Sequence, residues 1–348
     1  MAGMRVVELR EFGGSQGFVL SERPVPEPGR GEVRIRVEAA SFNPVDRKIR
    51  LGRFGGSLPM VLGHDAAGRV EKLGEGVEGV APGDPVWAFL GGPQSNGAYA
   101  EQVVVPAELV GPRPRRLSVE EAAAMPVVGL TALQAVGRRA LPLPGENALL
   151  IGAAGGLGSA ALPLLRDAGV ERVLCTAGSE ESALFLERRL GVPLEDIVRY
   201  DRQPAEALAG HVLALNDGHR LPMAFDFAGG LAMKRLALDV LDFEGRLITA
   251  VEEPEGLAIE AWAATGPLFQ KALSLHMVFT GARAMAGAPR DWSAYAHDLG
   301  ALARLCESGR LPPPAVTVLG DLSLETVREA HRRLDAGHNR GKLVMRVT

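Results

Sequence analysis

An α/β protein of two domains is what the sequence predicts, and three observations carry that prediction. The chain has 348 residues, and at roughly 100–200 residues per domain this suggests two domains. Residues 1–122 hold short apolar or alternating runs cut by Gly and Pro, whereas residues 123–309 alternate fully apolar runs with longer helical stretches. Residues 310–348 return to the irregular texture of the opening third. The expected architecture is a β-rich domain built from both chain ends, 1–122 and 310–348. Between them, at 123–309, comes a doubly wound parallel sheet with helices on both faces.

In the first domain the expected strands are Arg5–Leu9, Glu32–Val37, Ala67–Val70, Asp84–Ala88 and Tyr99–Val105. Turn residues such as Pro24, Pro26, Pro28, Gly29, Gly74, Pro82 and Gly83 separate them. Short strands at this spacing predict a compact barrel-like or sandwich-like fold. In the second domain the expected strands are Ala148–Ile151, Val173–Thr176, Ile197–Tyr200, Ala224–Phe227, Leu247–Val251 and Met277–Thr280. They are apolar throughout, as strands buried on both faces must be. Helices are expected at Leu157–Ala168, Ser182–Leu190, Ala232–Leu241 and Leu268–Leu273. Pro163 should kink the first of these or shorten it, because it removes one backbone donor. The tail should add a strand at Val316–Leu319, a helix at Leu324–Gly337 and a last strand at Lys342–Val347.

Composition excludes several classes. Apolar residues are 47%, charged residues 23%, and the net charge is −4, all ordinary for a soluble globular chain. No basic stripe with interleaved aromatics is present, so nucleic acid is not an expected partner. No run of about 18 apolar residues predicts a membrane span. Met1–Gly14 lacks a signal peptide's apolar core, which makes the cytoplasm the expected compartment. Two cysteines, Cys175 and Cys306, form neither a disulfide framework nor a four-Cys zinc site. Cys175, in an apolar run, is expected in the core. Only five of the 38 basic residues are Lys (48, 72, 234, 271 and 342), which reads as a base-composition bias toward Arg.

Ala148–Ile151 runs into Gly152-Ala-Ala-Gly155-Gly156-Leu-Gly158 and then a helix. The strict G-x-G-x-x-G fingerprint is not present, and the spacing is G-x-x-G-x-x-G. The context is still that of a dinucleotide site: glycines let backbone approach a pyrophosphate, and the helix N-terminus offers N–H groups. The alternative is a purely structural turn. An NAD site usually places an acid at the end of the second strand, about 20 residues on. Here the strand ends Cys175-Thr176-Ala177-Gly178-Ser179, and Glu180 and Glu181 read as first-turn acids of the next helix. A small turn with a Ser179 hydroxyl favours NADP(H), with Arg202 or Arg340 as candidate cations for its 2′-phosphate.

Gly63-His-Asp-Ala-Ala-Gly68, Gly83-Asp-Pro-Val-Trp87, Asn96-Gly-Ala-Tyr-Ala-Glu101, Gly129-Leu-Thr-Ala-Leu-Gln134 and Gly341-Lys-Leu-Val344 follow one another along the chain. In that order they resemble the medium-chain dehydrogenase/reductase superfamily over nearly the whole length. The resemblance implies a GroES-like catalytic domain, a Rossmann domain and an active site in the cleft between them. Zinc alcohol dehydrogenases of this superfamily bind catalytic zinc through a Cys, the His of this glycine-histidine segment and a later Cys or acid. This chain keeps His64, has Asn43 where the first Cys would stand, and has Met125-Pro-Val-Val-Gly129 where the last ligand would stand. One His does not make a catalytic zinc site. His64 is then read as a packed or hydrogen-bonded residue lining the cleft.

Asn43-Pro-Val-Asp46 is similar to the zinc-free, zeta-crystallin-like quinone oxidoreductases, and Lys48 after it looks like the enone reductases. The resemblance therefore implies a zinc-independent, NADPH-dependent oxidoreductase that transfers hydride to a quinone or an α,β-unsaturated carbonyl. Asn43, Lys48 and His64 are the implied catalytic residues, Lys48 being alternatively a solvated lysine at the domain rim. The resemblance places Asn43, Thr131, Ala154, Gly155, Gly156 and Leu157 at the cofactor, with Ser179, Tyr200, Val251, Phe279 and Arg340. No metal is expected. A homodimer is expected from the resemblance and from the apolar run Met277–Thr280, an edge able to associate. The other readings are a zinc-type alcohol dehydrogenase and a non-catalytic, crystallin-like nucleotide-binding protein.

Overall fold

A computed structural model describes residues 3–91, 96–252, 263–286, 291–337 and 339–348. The chain divides into two compact units, Met1–Leu130 with Thr280–Thr348, and Thr131–Phe279. Sequence texture put the boundaries at 122/123 and 309/310, so both differ. The reason for the second lies in packing. Helical texture does not say which core a helix covers, and the helix at 293–307 belongs to the first unit. Its Leu299 lies so close to Gly111 that a Cβ on that glycine would stand 2.7 Å from it.

The first unit begins with β1 (Gly3–Leu9), β2 (Phe18–Pro24) and β3 (Glu32–Phe42), followed by helix α1 (Pro44–Arg50). Then come β4 (Met60–Val61), β5 (Asp65–Leu73), β6 (Pro85–Phe89), β7 (Gln102–Pro106) and β8 (Val110–Pro112), helix α2 (Val119–Ala123), and helix α3 (Pro126–Gln134), whose second half belongs to the second unit. The run expected to be strand from Tyr99 joins the β3 ladder only from Gln102, because residues 99–101 pair with β1 instead, Tyr99 O accepting the Val7 N–H and the Glu101 N–H donating to the Arg5 carbonyl.

The second unit is a six-stranded parallel sheet of β9 (Asn147–Ile151), β10 (Arg172–Ala177), β11 (Ile197–Arg199), β12 (Leu221–Asp226), β13 (Leu241–Thr249) and β14 (Ser274–Met277). Helices α4 (Gly156–Asp167), α5 (Glu180–Leu190), α6 (Ala205–Leu215), α7 (Leu231–Val240) and α8 (Pro267–Gln270) connect them. The spatial order is β11-β10-β9-β12-β13-β14, so the strand order reverses between β9 and β12. That reversal is the topological switch point at which doubly wound folds bind ligands. Leu149, Leu150 and Ile151 are all fully buried, and each such side chain contributes about 1.5–3 kcal/mol.

Two local expectations change. Pro163 does not shorten α4, because the helix buries Ala160, Ala161, Leu164 and Leu165 and this packing outweighs one missing backbone bond. The last strand is Ser274–Met277, ending where it was expected to begin. Its register against β13 pairs Arg246 with Ser274 and Thr249 with Met277. An edge strand has a neighbour on one side only, so the polar Ser274 and His276 are tolerated there and hydropathy misplaced it.

The chain then re-enters the first unit with α9 (Ala282–Ala286), α10 (Ser293–Glu307), β15 (Val316–Asp321), α11 (Leu324–Ala336) and β16 (Lys342–Arg346). β16 pairs antiparallel with β3, completing a sheet of order β15-β16-β3-β5-β6-β8 with β7 on β3, beside a smaller sheet β2-β1-β4. Among the described residues no helix is long and apolar enough to cross a membrane. Both cysteines are free and buried, and burial pushes the Cys175 thiol up to about 12.

Candidate functional site

In a parallel sheet every strand ends on the same edge, and the second unit's candidate residues other than Thr131 follow those strand ends. Gly152 follows β9 at φ +83°, a conformation that favours glycine. A Cβ on Gly158 would lie 2.3 Å from the Gly152 carbonyl oxygen, so only glycine lets α4 start this close to the loop. Gly155 precedes α4 without any side-chain cap, leaving the first-turn N–H groups for an anion. Ala154, Gly155, Gly156 and Leu157 are partly exposed around that turn. This cradle fits a pyrophosphate.

Ser179 ends the next connection, and its Oγ accepts the Ser182 N–H of α5 at 3.1 Å. Tyr200 packs against Gly178 so closely that a Cβ there would stand 2.2 Å from the phenol oxygen. Val251 follows β13 half-buried, Phe279 lies beyond β14 and is 51% exposed, and Thr131 is buried in α3. Asp226 is a residue of this edge that sequence reasoning missed. Its Oδ2 accepts the Lys234 ammonium at 2.6 Å, and its Oδ1 accepts the backbone N–H groups of Ala228 and Gly229. Lys234 also donates to Thr249 Oγ1 at 2.9 Å, tying the ends of β12 and β13 together.

The first unit holds a second polar cluster, buried except for the His64 ring, which is partly exposed. Asn43 starts α1, and Asp46 reaches back to the Asn43 N–H at 2.8 Å, as an acid three positions into a helix does. The other Asp46 oxygen faces His64 Nδ1 at 2.6 Å and accepts the Gly63 N–H. Asn43 Nδ2 donates to Asp65 Oδ2 at 2.8 Å, and Asn43 Oδ1 accepts from the Lys342 ammonium. Lys342 also meets Asp65 at 3.2 Å, while Ser41 Oγ and the Val127 N–H each donate to Asp65 at 2.7 Å. Tyr99 links Asp46 to His331, whose ring lies 4.6 Å from that of Phe18. Burial lowers His331 to about 4 and keeps it neutral.

Thus α1, β5 and β16 bring Asn43 and His64 together through Asp46, Asp65 and Lys342. Lys48 lies half-buried on α1, and Arg340 is exposed just before β16. Asp65 and Lys342 stand inside the segments Gly63–Gly68 and Gly341–Val344, where no local pattern marks them as partners. Lysine scarcity was the available signal. Lys234 and Lys342 are 2% and 4% exposed, although Arg was by far the commoner cation to place there. A compact ammonium fits a small carboxylate pocket that a planar guanidinium does not.

Burial opposes charge on His64, but the Asp46 charge and hydrogen bond outweigh it and hold the imidazole above its ordinary 6.5. Burial likewise opposes charge on Asp46, and His64 overcomes it, keeping this carboxyl below 3.8. A raised histidine stabilises fully below its unfolded value and loses that contribution as pH rises through its folded value. A lowered carboxylate stabilises above its unfolded value and loses that contribution as pH falls through its folded value. Between about pH 4 and 6.5 both contributions are present. Melting curves of wild type and His64→Gln should therefore differ most in that window and converge as pH rises through the raised histidine value. A constant difference across the range would refute the ionised pair.

Among the described residues, no group of three or more His, Cys, Asp and Glu side chains is placed to hold a metal ion. Residues 29–115 match the alcohol dehydrogenase GroES-like domain family, and residues 194–345 match the zinc-binding dehydrogenase family. Quinone oxidoreductase of Rattus norvegicus is 37% identical over 181 residues, which is 51% of this chain and 54% of that protein, about half of either. The 2-methylene-furan-3-one reductase of Solanum lycopersicum is 30% identical over 92% of this chain and 73% of its own length. A mycobacterial protein solved in complex with NADPH superposes with TM-score 0.80 at 26% identity, covering 99% of both chains. With its parallel nucleotide-type sheet, its GroES-like unit and these similarities across both, the chain belongs to the medium-chain dehydrogenase/reductase superfamily.

Proposed function

We propose that the protein is a zinc-independent, NADPH-dependent reductase of quinones or α,β-unsaturated carbonyls. The observation that carries this reading is the Lys342 ammonium held between Asn43 and Asp65 in the buried cluster. It neutralises Asp65 already and lies near enough to His64 to oppose its protonation, so a divalent cation beside His64 would meet like charge. An acceptor without a metal ion at its oxygen needs conjugation to spread the arriving charge, as an enone or quinone provides. When bound, NADPH supplies the hydride.

The chain's own residues then bind and stabilise. The first turn of α4 with Ala154, Gly155, Gly156 and Leu157 holds the pyrophosphate. Ser179 and Tyr200 attend the adenosine phosphate, and Thr131, Val251 and Phe279 the nicotinamide. His64 and Lys48 face the developing enolate or hydroquinone anion, with Lys48 as the proton source. Asn43 shares in this through its amide, which carries two hydrogens, one of them given to Asp65. The relatives' names, a quinone oxidoreductase and a furanone reductase, support this substrate class, and the NADPH-bound neighbour supports the cofactor. Met277 and Phe279, 56% and 51% exposed at the β14 edge, support a homodimer, and the two buried thiols suit the cytoplasm.

NADPH oxidation with 1,2-naphthoquinone and with a short enone tests the activity. NADPH should bind about tenfold more tightly than NADH, a difference of about 1.4 kcal/mol. Protein purified without chelator should carry far less than one zinc per chain. Equal dissociation constants would defeat the cofactor preference, and stoichiometric zinc would defeat the zinc-free mechanism.

A further inference from the structure

The residues that follow β11 bring two guanidinium groups onto one carboxylate. Glu180 Oε2 accepts from Arg199 Nη1 at 2.6 Å and from Arg202 Nη2 at 2.5 Å. Arg199 simultaneously grips Asp201 with Nε and Nη2 at 2.8 and 2.7 Å, which fixes its plane. Glu180 is the first residue of α5, directly after Ser179, and β11 pairs with β10 so that Arg199 stands opposite Ala177. Two arginines and two carboxylates thus form a neutral group at the tip of the second strand, where doubly wound sheets meet the adenosine ribose.

Glu180 is more than half exposed, as is Arg202, so no core packing requires their pairing. A single oxygen bridging two guanidinium groups is the position a phosphate oxygen would take, and phosphate offers Arg more charge and a matching fork geometry. The Arg199 hydrogen bond holds the Glu180 carboxyl below its ordinary range, so it carries its charge at neutral pH.

We propose that Arg199 and Arg202 form the 2′-phosphate subsite and that Glu180 is its built-in competitor, setting how strongly NADPH is preferred over NADH. The proposal rests on the NADPH reading above and names the residues that discriminate. On binding, the 2′-phosphate displaces the Glu180 carboxylate from both guanidinium groups, while Asp201 keeps Arg199 in place. NADH brings no such anion and leaves the Glu180 pairs intact.

Dissociation constants of NADPH, NADH and 2′,5′-ADP for the full chain, measured by calorimetry, test this. Glu180→Gln keeps the shape and removes the competing charge. It should tighten NADPH and 2′,5′-ADP by about tenfold and leave NADH within about twofold. Arg202→Gln should weaken NADPH and 2′,5′-ADP by about tenfold and spare NADH. The double variant should lose most of the gain seen in Glu180→Gln. Both side chains are exposed, so melting temperatures should stay near wild type and certify folding. If Glu180→Gln leaves 2′,5′-ADP binding unchanged, the subsite is overturned. It is also overturned if NADH weakens while NADPH holds, since Glu180 would then take the ribose hydroxyl. Acceptor turnover is not part of these readouts, so the reductase reading stands or falls separately.

Discussion

Lys342→Met is expected to destabilise the protein by about 3–5 kcal/mol, the usual cost of stranding a buried charge by removing its partner. Asp65 is fully buried and would keep Ser41, Asn43 and the Val127 N–H as donors, with no countercharge. Asn43 Oδ1 would lose its donor as well. The loss should therefore be cooperative across α1, β5 and β16, and urea unfolding of the first unit's fluorescence would measure it. Lys342→Arg should recover only part, because the larger planar group overfills the pocket at about 1–3 kcal/mol. Lys72→Met is the control. That lysine is half-exposed on the surface pair with Glu27, and its loss should stay within about 0.5 kcal/mol. A Lys342→Met variant as stable as Lys72→Met would show that Asp65 is not a buried charge and would remove the main argument against a cation beside His64.

Lys48→Met should lower enone turnover by about 10²–10³-fold, the loss typical of a missing oxyanion donor, with NADPH binding nearly intact. Asn43→Ala should act on the same step, so the double variant should lose less than the product of the single losses. Part of the Asn43→Ala loss will be structural, since Asn43 holds both Asp65 and Lys342. Melting temperature separates that part, because half-buried Lys48 should leave it unchanged. Quinones should suffer less than enones, as a hydroquinone anion is the weaker base and can take its proton from water. A rate within about twofold for Lys48→Met would place Lys48 at a solvated rim and leave His64, with its Asp46 partner, as the protonating group.

The glycine turn and the parallel sheet were legible because each is encoded locally. A run such as Ala148–Ile151, apolar on both faces, has few other places to go, and Gly152–Gly158 has few other uses at a strand-to-helix junction. Buried Cys175 and the return of the chain in its last residues were legible for the same reason. His64 and Asn43 were found through their place in motifs. The partners that orient them, Asp46, Asp65 and Lys342, stand in these same motif segments, but their pairing is not written there. Nothing local marks a buried ion pair whose members are 277 positions apart.

Period and hydropathy alone therefore determine the two-unit architecture, the strand edge that carries the nucleotide loop and the small-residue turn at Gly178–Ser179. Tertiary structure decided the rest. Packing assigned α10 to the first unit, and the ladder with β13 moved the last strand to Ser274–Met277. Long-range electrostatics turned Lys342 into a core residue, and made Glu180, which read as an ordinary first-turn acid, the anchor of Arg199 and Arg202. Hydrophobic burial repeats along the chain with the period of its secondary structure, so it is written in sequence order. The partner of a buried charge is fixed only where the chain folds back on itself, and no spacing in the sequence records that meeting.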